Sequence, residues 1–141
     1  HSLLPRNMKG HSFTQSYLSI NDNGIIRIRK EGNVSKLTIK TKNVGISRSE
    51  FEYNIPMDDY EEIVRLSISE TVKKTRYKVV YENKVWEVDE FHEKNNGLWI
   101  AEIELQNENE SFKKPDWLLE EITYDYRYMN ANLSKHPYSQ W

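Results

Sequence analysis

Arg27 and Arg29 stand two residues apart in Gly24-Ile25-Ile26-Arg27-Ile28-Arg29-Lys30, with isoleucines before and between them. Side chains two apart in a strand share a face, so the stretch predicts paired guanidiniums on one side and isoleucines on the other. Guanidinium forks match phosphoryl oxygens, and lysine adds compact positive charge. The alternation recurs with Lys40 in Leu37-Thr38-Ile39-Lys40, and with Lys74 and Arg76 in Lys74-Thr75-Arg76-Tyr77. Carboxylates take the charged positions in Glu50-Phe51-Glu52-Tyr53, Glu87-Val88-Asp89 and Glu102-Ile103-Glu104.

An antiparallel sheet with its charges in water favours opposite signs interleaved across neighbouring strands. Here the cations fall on three predicted strands, and Glu87, Asp89, Glu102 and Glu104 on two later ones. If the sheet curls, the cations converge, and two like charges about 4 Å apart repel by ~4 kcal/mol at an effective dielectric of about 20. A bound polyanion turns that cost into affinity. Carboxylates beside it would repel it unless a hard divalent cation bridges the two, as Mg²⁺ does between one or two carboxylates and phosphate oxygens. Cations and acids on one enclosed face therefore suggest a metal–polyphosphate site, while an ordinary sheet with its charged face in water is the reading that pattern alone favours.

Several other chemistries lack support. The formal net charge of −2 argues against a broadly basic nucleic-acid binder and gives no bias toward a membrane surface. No apolar run reaches the ~18 residues of a spanning helix. There is no cysteine, which removes disulfides and thiolate chemistry. His1, His11, His92 and His136 show no metal-ligand spacing. Neither a Gly-x-Ser-x-Gly elbow nor a glycine-rich phosphate loop is present. Cytoplasmic residence is the default expectation.

The elements that must position the charges follow from pattern. At 141 residues the chain suffices for one core, and nine Tyr and four Trp supply aromatic mass that a disordered polymer lacks. Strands are predicted over 13–19, 24–30, 34–42, 48–55, 71–80, 85–91 and 98–106, joined mostly by short reversals, with residues 1–12 a loose arm. The first carries Phe13, Gln15 and Tyr17 on one face, and the fourth carries Phe51, Tyr53 and Ile55 on its apolar side. Pro56 opens a helix whose start is loaded with negative charge by Asp58, Asp59, Glu61 and Glu62 and whose stripe is Tyr60, Ile63, Val64 and Ser67. Short helices are predicted at Pro115-Asp116-Trp117-Leu118-Leu119 and over 125–133, the latter burying Tyr128, Met129 and Leu133. Seven strands with antiparallel connections predict an up-and-down sheet.

In order along the chain, Gln15-Ser16-Tyr17-Leu18, Ile26-Arg27-Ile28-Arg29, Leu37-Thr38-Ile39-Lys40, Glu50-Phe51-Glu52, Lys74-Thr75-Arg76-Tyr77, Trp86-Glu87-Val88-Asp89-Glu90-Phe91, Ala101-Glu102-Ile103-Glu104-Leu105, Pro115-Asp116-Trp117-Leu118 and Arg127-Tyr128-Met129-Asn130 resemble the CYTH domain. That family comprises the triphosphate tunnel metalloenzymes, and the chain resembles their short bacterial form. Leu119 and Tyr124 stand where relatives often carry glycine. The resemblance implies an α+β fold: an antiparallel β-barrel of eight strands around a triphosphate tunnel, helices outside, and Mg²⁺ or Mn²⁺ as cofactor. By position, Arg27, Arg29, Lys40, Lys74 and Arg76 would grip phosphates and Glu102 and Glu104 would ligate metal. Glu50, Glu52, Glu87 and Asp89 would be catalytic or would support the metal. The implied activity is metal-dependent hydrolysis of a triphosphate, foremost inorganic tripolyphosphate. Adenylyl cyclase, thiamine triphosphatase and a non-catalytic triphosphate- or nucleotide-binding module are the alternatives. The implied partner is a small-molecule triphosphate, not a nucleic-acid polymer or a membrane, with a homodimer left open.

The family's first strand, Glu-x-Glu-x-Lys, has no match in residues 1–12, and seven strands are predicted where the family has eight. Residues 1–141 are thus expected to form a single CYTH-like domain without that strand. The expectation is that the natural protein starts upstream of His1, and that without the strand the metal site is depleted and activity suffers.

Overall fold

The computed structural model describes residues 8–42, 49–107 and 109–141. Seven strands form one antiparallel sheet: β1 (His11–Asn21), β2 (Gly24–Glu31), β3 (Val34–Thr41), β4 (Glu50–Ile55), β5 (Val72–Tyr81), β6 (Lys84–Phe91) and β7 (Trp99–Ile103). Their spatial order is β4-β3-β2-β1-β5-β6-β7. β1 to β4 run as a meander, and the chain then crosses back so that β5 joins the free side of β1. That crossover is the one departure from strict up-and-down order. β4 and β7 are the two edges, so the barrel-like sheet is not closed among the described residues. The predicted loop at 43–47, Arg48 and most of the predicted arm lie outside the described residues.

Local chemistry explains the reversals. Glu82 and Asn83 take φ of 49° and 64°, the two-residue turn whose twist suits the β5–β6 hairpin. Gly24 has φ of +142°, and a Cβ there would lie 2.1 Å from the Lys40 carbonyl oxygen, so β2 approaches β3 closely only because this residue has no side chain. A bulge in β1 between Tyr17 and Ser19 shifts the register with β2. Before it, Gln15 and Tyr17 lie opposite Arg29 and Arg27, and all four share the charged face of the sheet.

The two faces are covered differently. α1 (Met57–Ile63) starts after Pro56 with Asp58 and Asp59 in its first turn, buries Tyr60, and lies against β2 and β3. Ile28, on the face opposite Arg27 and Arg29, is fully buried. Across β5 and β6 that opposite face carries Val79, Trp86 and Val88, with Trp99, Phe112 and Trp117 packed on them. α2 (Asn130–Lys135) lies instead on the charged-face side: Leu133 joins Val72, Phe91, Leu98 and Ile100 in a core cluster at one end of the row of charges. A helix expected outside therefore seals one end of the concave face.

Three local expectations need correction. Phe51 and Tyr53 are 48% and 56% exposed, because α1 covers β2 and β3 and leaves the edge strand β4 bare. Pro115 to Leu118 closes only one turn, Leu118 N–H donating to Pro115 C=O; the Trp117 ring is held edge-on to Trp86, and no regular helix follows. The predicted helix over 125–133 splits into a 3-10 turn (Tyr126–Tyr128) and α2, leaving Met129 exposed at the junction while Leu133 is buried. β7 is also shorter than predicted. It ends at Ile103, so Glu104 lies beyond the sheet.

Candidate active site

The register brings the charges of six strands onto one concave face. Arg27 lies opposite Thr38, Lys40 opposite Glu50, Arg76 opposite Asp89 and Glu87 opposite Glu102. A cavity of about 670 Å³ opens on this face, and Arg27, Arg29, Lys40, Lys74 and Arg76 all line it, with Glu50, Glu87 and Glu102. Its remaining lining is mixed, with Ile103, Phe112, Ile122 and Met129 beside Lys114, Glu120, Glu121 and Asp125. Glu52, Asp89 and Glu104 are not among its lining residues.

Asp89 is 2% exposed and binds two of the cations from behind the cavity wall. Arg76 donates to it through Nε (2.8 Å, to Oδ1) and its second terminal nitrogen (2.9 Å, to Oδ2), while the other terminal nitrogen donates to Glu87 at 3.0 Å. Lys74 Nζ lies 2.9 Å from Asp89 Oδ2 and donates to Asn130 Oδ1 at 3.2 Å. Burial works to raise the Asp89 carboxyl, but the hydrogen bonds and charge of Arg76 and the charge of Lys74 hold it below its ordinary range. Burial pulls the Lys74 ammonium down, and Arg76 adds to that against the pull of Asp89. Arg76 is raised: burial opposes its charge, but Asp89, Glu87 and Glu102 outweigh it. The electrostatic cost of gathering cations is thus partly met within the fold.

The β2 side is less fully paired. Arg27 is 7% exposed, one terminal nitrogen donates to Thr38 Oγ1 at a long 3.4 Å, and its buried Nε has no hydrogen-bond partner among the described residues. Thr38 in turn donates to Glu52 Oε2 at 3.4 Å, so Glu52 reaches Arg27 through a hydroxyl. Burial and the charge of Arg29 depress the Arg27 guanidinium, offset by Tyr17, Glu50 and Glu52. Burial pushes the Tyr17 phenol up, against Arg27 and the amide of Gln15, which donates to it at 2.8 Å. Arg29 Nε lies 2.8 Å from Glu31 Oε1 but without hydrogen-bond alignment. A nearly buried guanidinium that lines the cavity offers its terminal nitrogens to an anionic ligand.

A family model for the CYTH domain matches residues 6–138. The chain belongs to the CYTH domain family. It is 45% identical over 134 residues to an inorganic triphosphatase of Acetivibrio thermocellus, covering 94% of this chain and 86% of the relative. It is 32% identical over 124 residues to an inorganic triphosphatase of Nitrosomonas europaea, covering 85% and 82%. The crystal structure of the inorganic triphosphatase NE1496 superimposes with a TM-score of 0.72 at 27% identity, over 93% of this chain and 89% of that one. The CYTH fold expected from sequence is therefore present, as a seven-stranded antiparallel sheet with few helices.

Sequence reasoning missed the helpers of this CYTH site. Asn130 and Tyr17 border the cavity, Gln15 holds Tyr17, and Phe13 touches two arginines. Phe13, Gln15 and Tyr17 were legible as one face of β1. Only the central place of β1 in the sheet shows that this face looks at the cations.

The metal expectation can be tested against the donors present. Among the described residues no three carboxylate or imidazole groups gather as a metal cage. Glu87 and Glu102 do face each other across β6 and β7 and both line the cavity. That pair fits a hard divalent cation that takes one or two carboxylates and completes its shell with phosphate oxygens and water.

Proposed function

We propose that this CYTH protein is a divalent-metal-dependent triphosphatase acting on inorganic tripolyphosphate. The convergence of Arg27, Arg29, Lys40, Lys74 and Arg76 on one cavity carries this reading, and the inorganic triphosphatases among its relatives support it. The reading takes residues 1–141 as one CYTH-like domain in the bacterial cytoplasm.

Arg27 and Arg29 from β2 and Lys40 from β3 neutralise one side of the substrate chain, and Lys74 and Arg76 from β5 the other. Fixed by Asp89 behind them, Lys74 and Arg76 are oriented before substrate arrives, so little reorganisation accompanies charge development on the transferring phosphoryl group. Glu87 and Glu102 would hold Mg²⁺ or Mn²⁺, which supplies Lewis-acid polarisation of that group when bound. Glu50, opposite Lys40 and also in the lining, would orient the attacking water. Glu104 lies outside the cavity and is left without a part in this scheme.

The aromatic and aliphatic residues in the lining, Ile103, Phe112 and Ile122 among them, favour one second reading, that an organic triphosphate enters the same cavity. Phosphate release from tripolyphosphate, ATP and thiamine triphosphate, each with and without Mg²⁺ or Mn²⁺, tests both, and cyclic nucleotide formation from ATP tests cyclase chemistry. Metal-dependent release from tripolyphosphate is expected. Binding of tripolyphosphate without turnover would make the chain a capture module instead.

A further inference from the structure

Phe13 projects from β1 between the two strands that carry the arginines. Its ring centroid lies 5.0 Å from Cζ of Arg29 on β2 and 4.9 Å from Cζ of Arg76 on β5, both inside the range of cation–π attraction. The ring does not line the cavity, whereas both arginines do. We infer that Phe13 is a positioning residue that holds Arg29 and Arg76 in their substrate-facing orientations. This rests on the triphosphate reading above for its role, though not for its geometry.

The choice of an aromatic group follows from the shape of guanidinium. Its hydrogen-bond donors lie in its plane, and phosphoryl oxygens approach along that plane. A carboxylate neighbour would occupy the same edge and compete with substrate. A ring attracts the cation through its face and leaves the edge available. Arg76 already commits three of its nitrogens to Asp89 and Glu87, so a further acid would consume what remains. Arg29 has more need of the ring, because among the described residues its Nε makes no hydrogen bond and its contact with Glu31 is poorly aligned. The ring also stands between two like charges contributed from opposite sides of β1, where a polar residue would have to satisfy donors from both.

The test compares Phe13→Leu, which keeps apolar volume but loses the π face, with Phe13→Tyr, which keeps it. Phe13→Leu is expected to raise KM for inorganic tripolyphosphate about 5- to 30-fold, with kcat changed less than about twofold. Phe13→Tyr is expected to restore KM. In ¹⁵N-labelled protein without substrate, the side-chain Nε–H resonances of Arg29 and Arg76 are expected to shift in Phe13→Leu and to stay near their wild-type positions in Phe13→Tyr. An unchanged KM in Phe13→Leu, or an equal loss in Phe13→Tyr, overturns the inference. If the wild-type chain neither hydrolyses nor binds tripolyphosphate, the functional reading falls by itself. The resonances then decide, and unshifted arginine signals in Phe13→Leu overturn the positioning role. Should Phe13→Leu fail to fold, Phe13→Met makes the same comparison.

Discussion

Arg76 and Asp89 sit directly opposite each other across β5 and β6, joined by two hydrogen bonds of 2.8 and 2.9 Å, and the same carboxylate holds Lys74 at 2.9 Å. One buried anion thus fixes two of the five cavity cations. It makes the charged face a built device and not only a collection of like charges awaiting a ligand.

Replacing Asp89 by Asn leaves Lys74 and Arg76 buried without their counter-ion. Breaking a buried pair from one side costs about 3–5 kcal/mol, which urea unfolding in EDTA will read as a lowered midpoint. Asp89 also predicts an acid limb. Its folded pKa lies below the ordinary 3.8, so its contribution is complete above that value and is lost as pH falls through the lower folded value. In Asp89→Asn the stability–pH curve should flatten over that interval, and an unchanged slope would assign acid unfolding to other groups.

Arg27 and Lys74 should behave differently when their charge is removed. Arg27→Met deletes a depressed guanidinium with an unpaired Nε, so stability is expected to hold or rise while hydrolysis of tripolyphosphate is lost. Lys74→Met is expected to lose activity and also to cost about 1–3 kcal/mol, because Asp89 and Asn130 lose a buried partner. Paired chemical-denaturation curves decide this, and equal destabilisation of both variants would refute the distinction.

Glu102 and Glu104 separate by geometry. Glu102→Gln should lower activity and raise the concentration of Mn²⁺ or Mg²⁺ needed for half-maximal rate by about 10-fold or more, the scale of a lost metal-supporting group. Glu104→Gln should stay within about twofold of wild type, since it lies beyond β7 and outside the cavity. A metal titration of each variant measures both.

Tripolyphosphate should raise the thermal midpoint of the wild-type chain. Saturation at about 100 times Kd stabilises by ~2.7 kcal/mol, and salt should weaken the effect by screening. A salt-independent shift would mean that the cations are not its source.

How much of this could be read beforehand varies by residue. The alternation Ile26-Arg27-Ile28-Arg29 places charge and apolar side chains on opposite faces through local backbone geometry alone, so its pattern was legible. The Arg76–Asp89 pair was not, because period two gives a face but not which strands are neighbours or in which register. The bareness of Phe51 and Tyr53 was hidden for a similar reason: their burial depends on where α1 lands, and it lands on β2 and β3. Glu104 continued the Glu102 alternation in sequence, but the strand ended first. Phe13 gave no sign of its role, since an aromatic residue in a strand is ordinarily core and its two arginine neighbours come from segments far apart in the chain.

β1 meets β2 along nearly its whole length but meets β5 over just five residue pairs, from His11 opposite Arg76 to Gln15 opposite Val72. Either side of that seam is a run of hairpins able to assemble from nearby residues. Zipping the seam must draw together segments roughly 60 residues apart, an entropic toll that local turns do not share. The cations of β2 and β3 are therefore expected to meet those of β5 late in folding, which the refolding kinetics of variants at the seam would check. A nascent or partly unfolded chain carries all five cations yet does not gather them on one face.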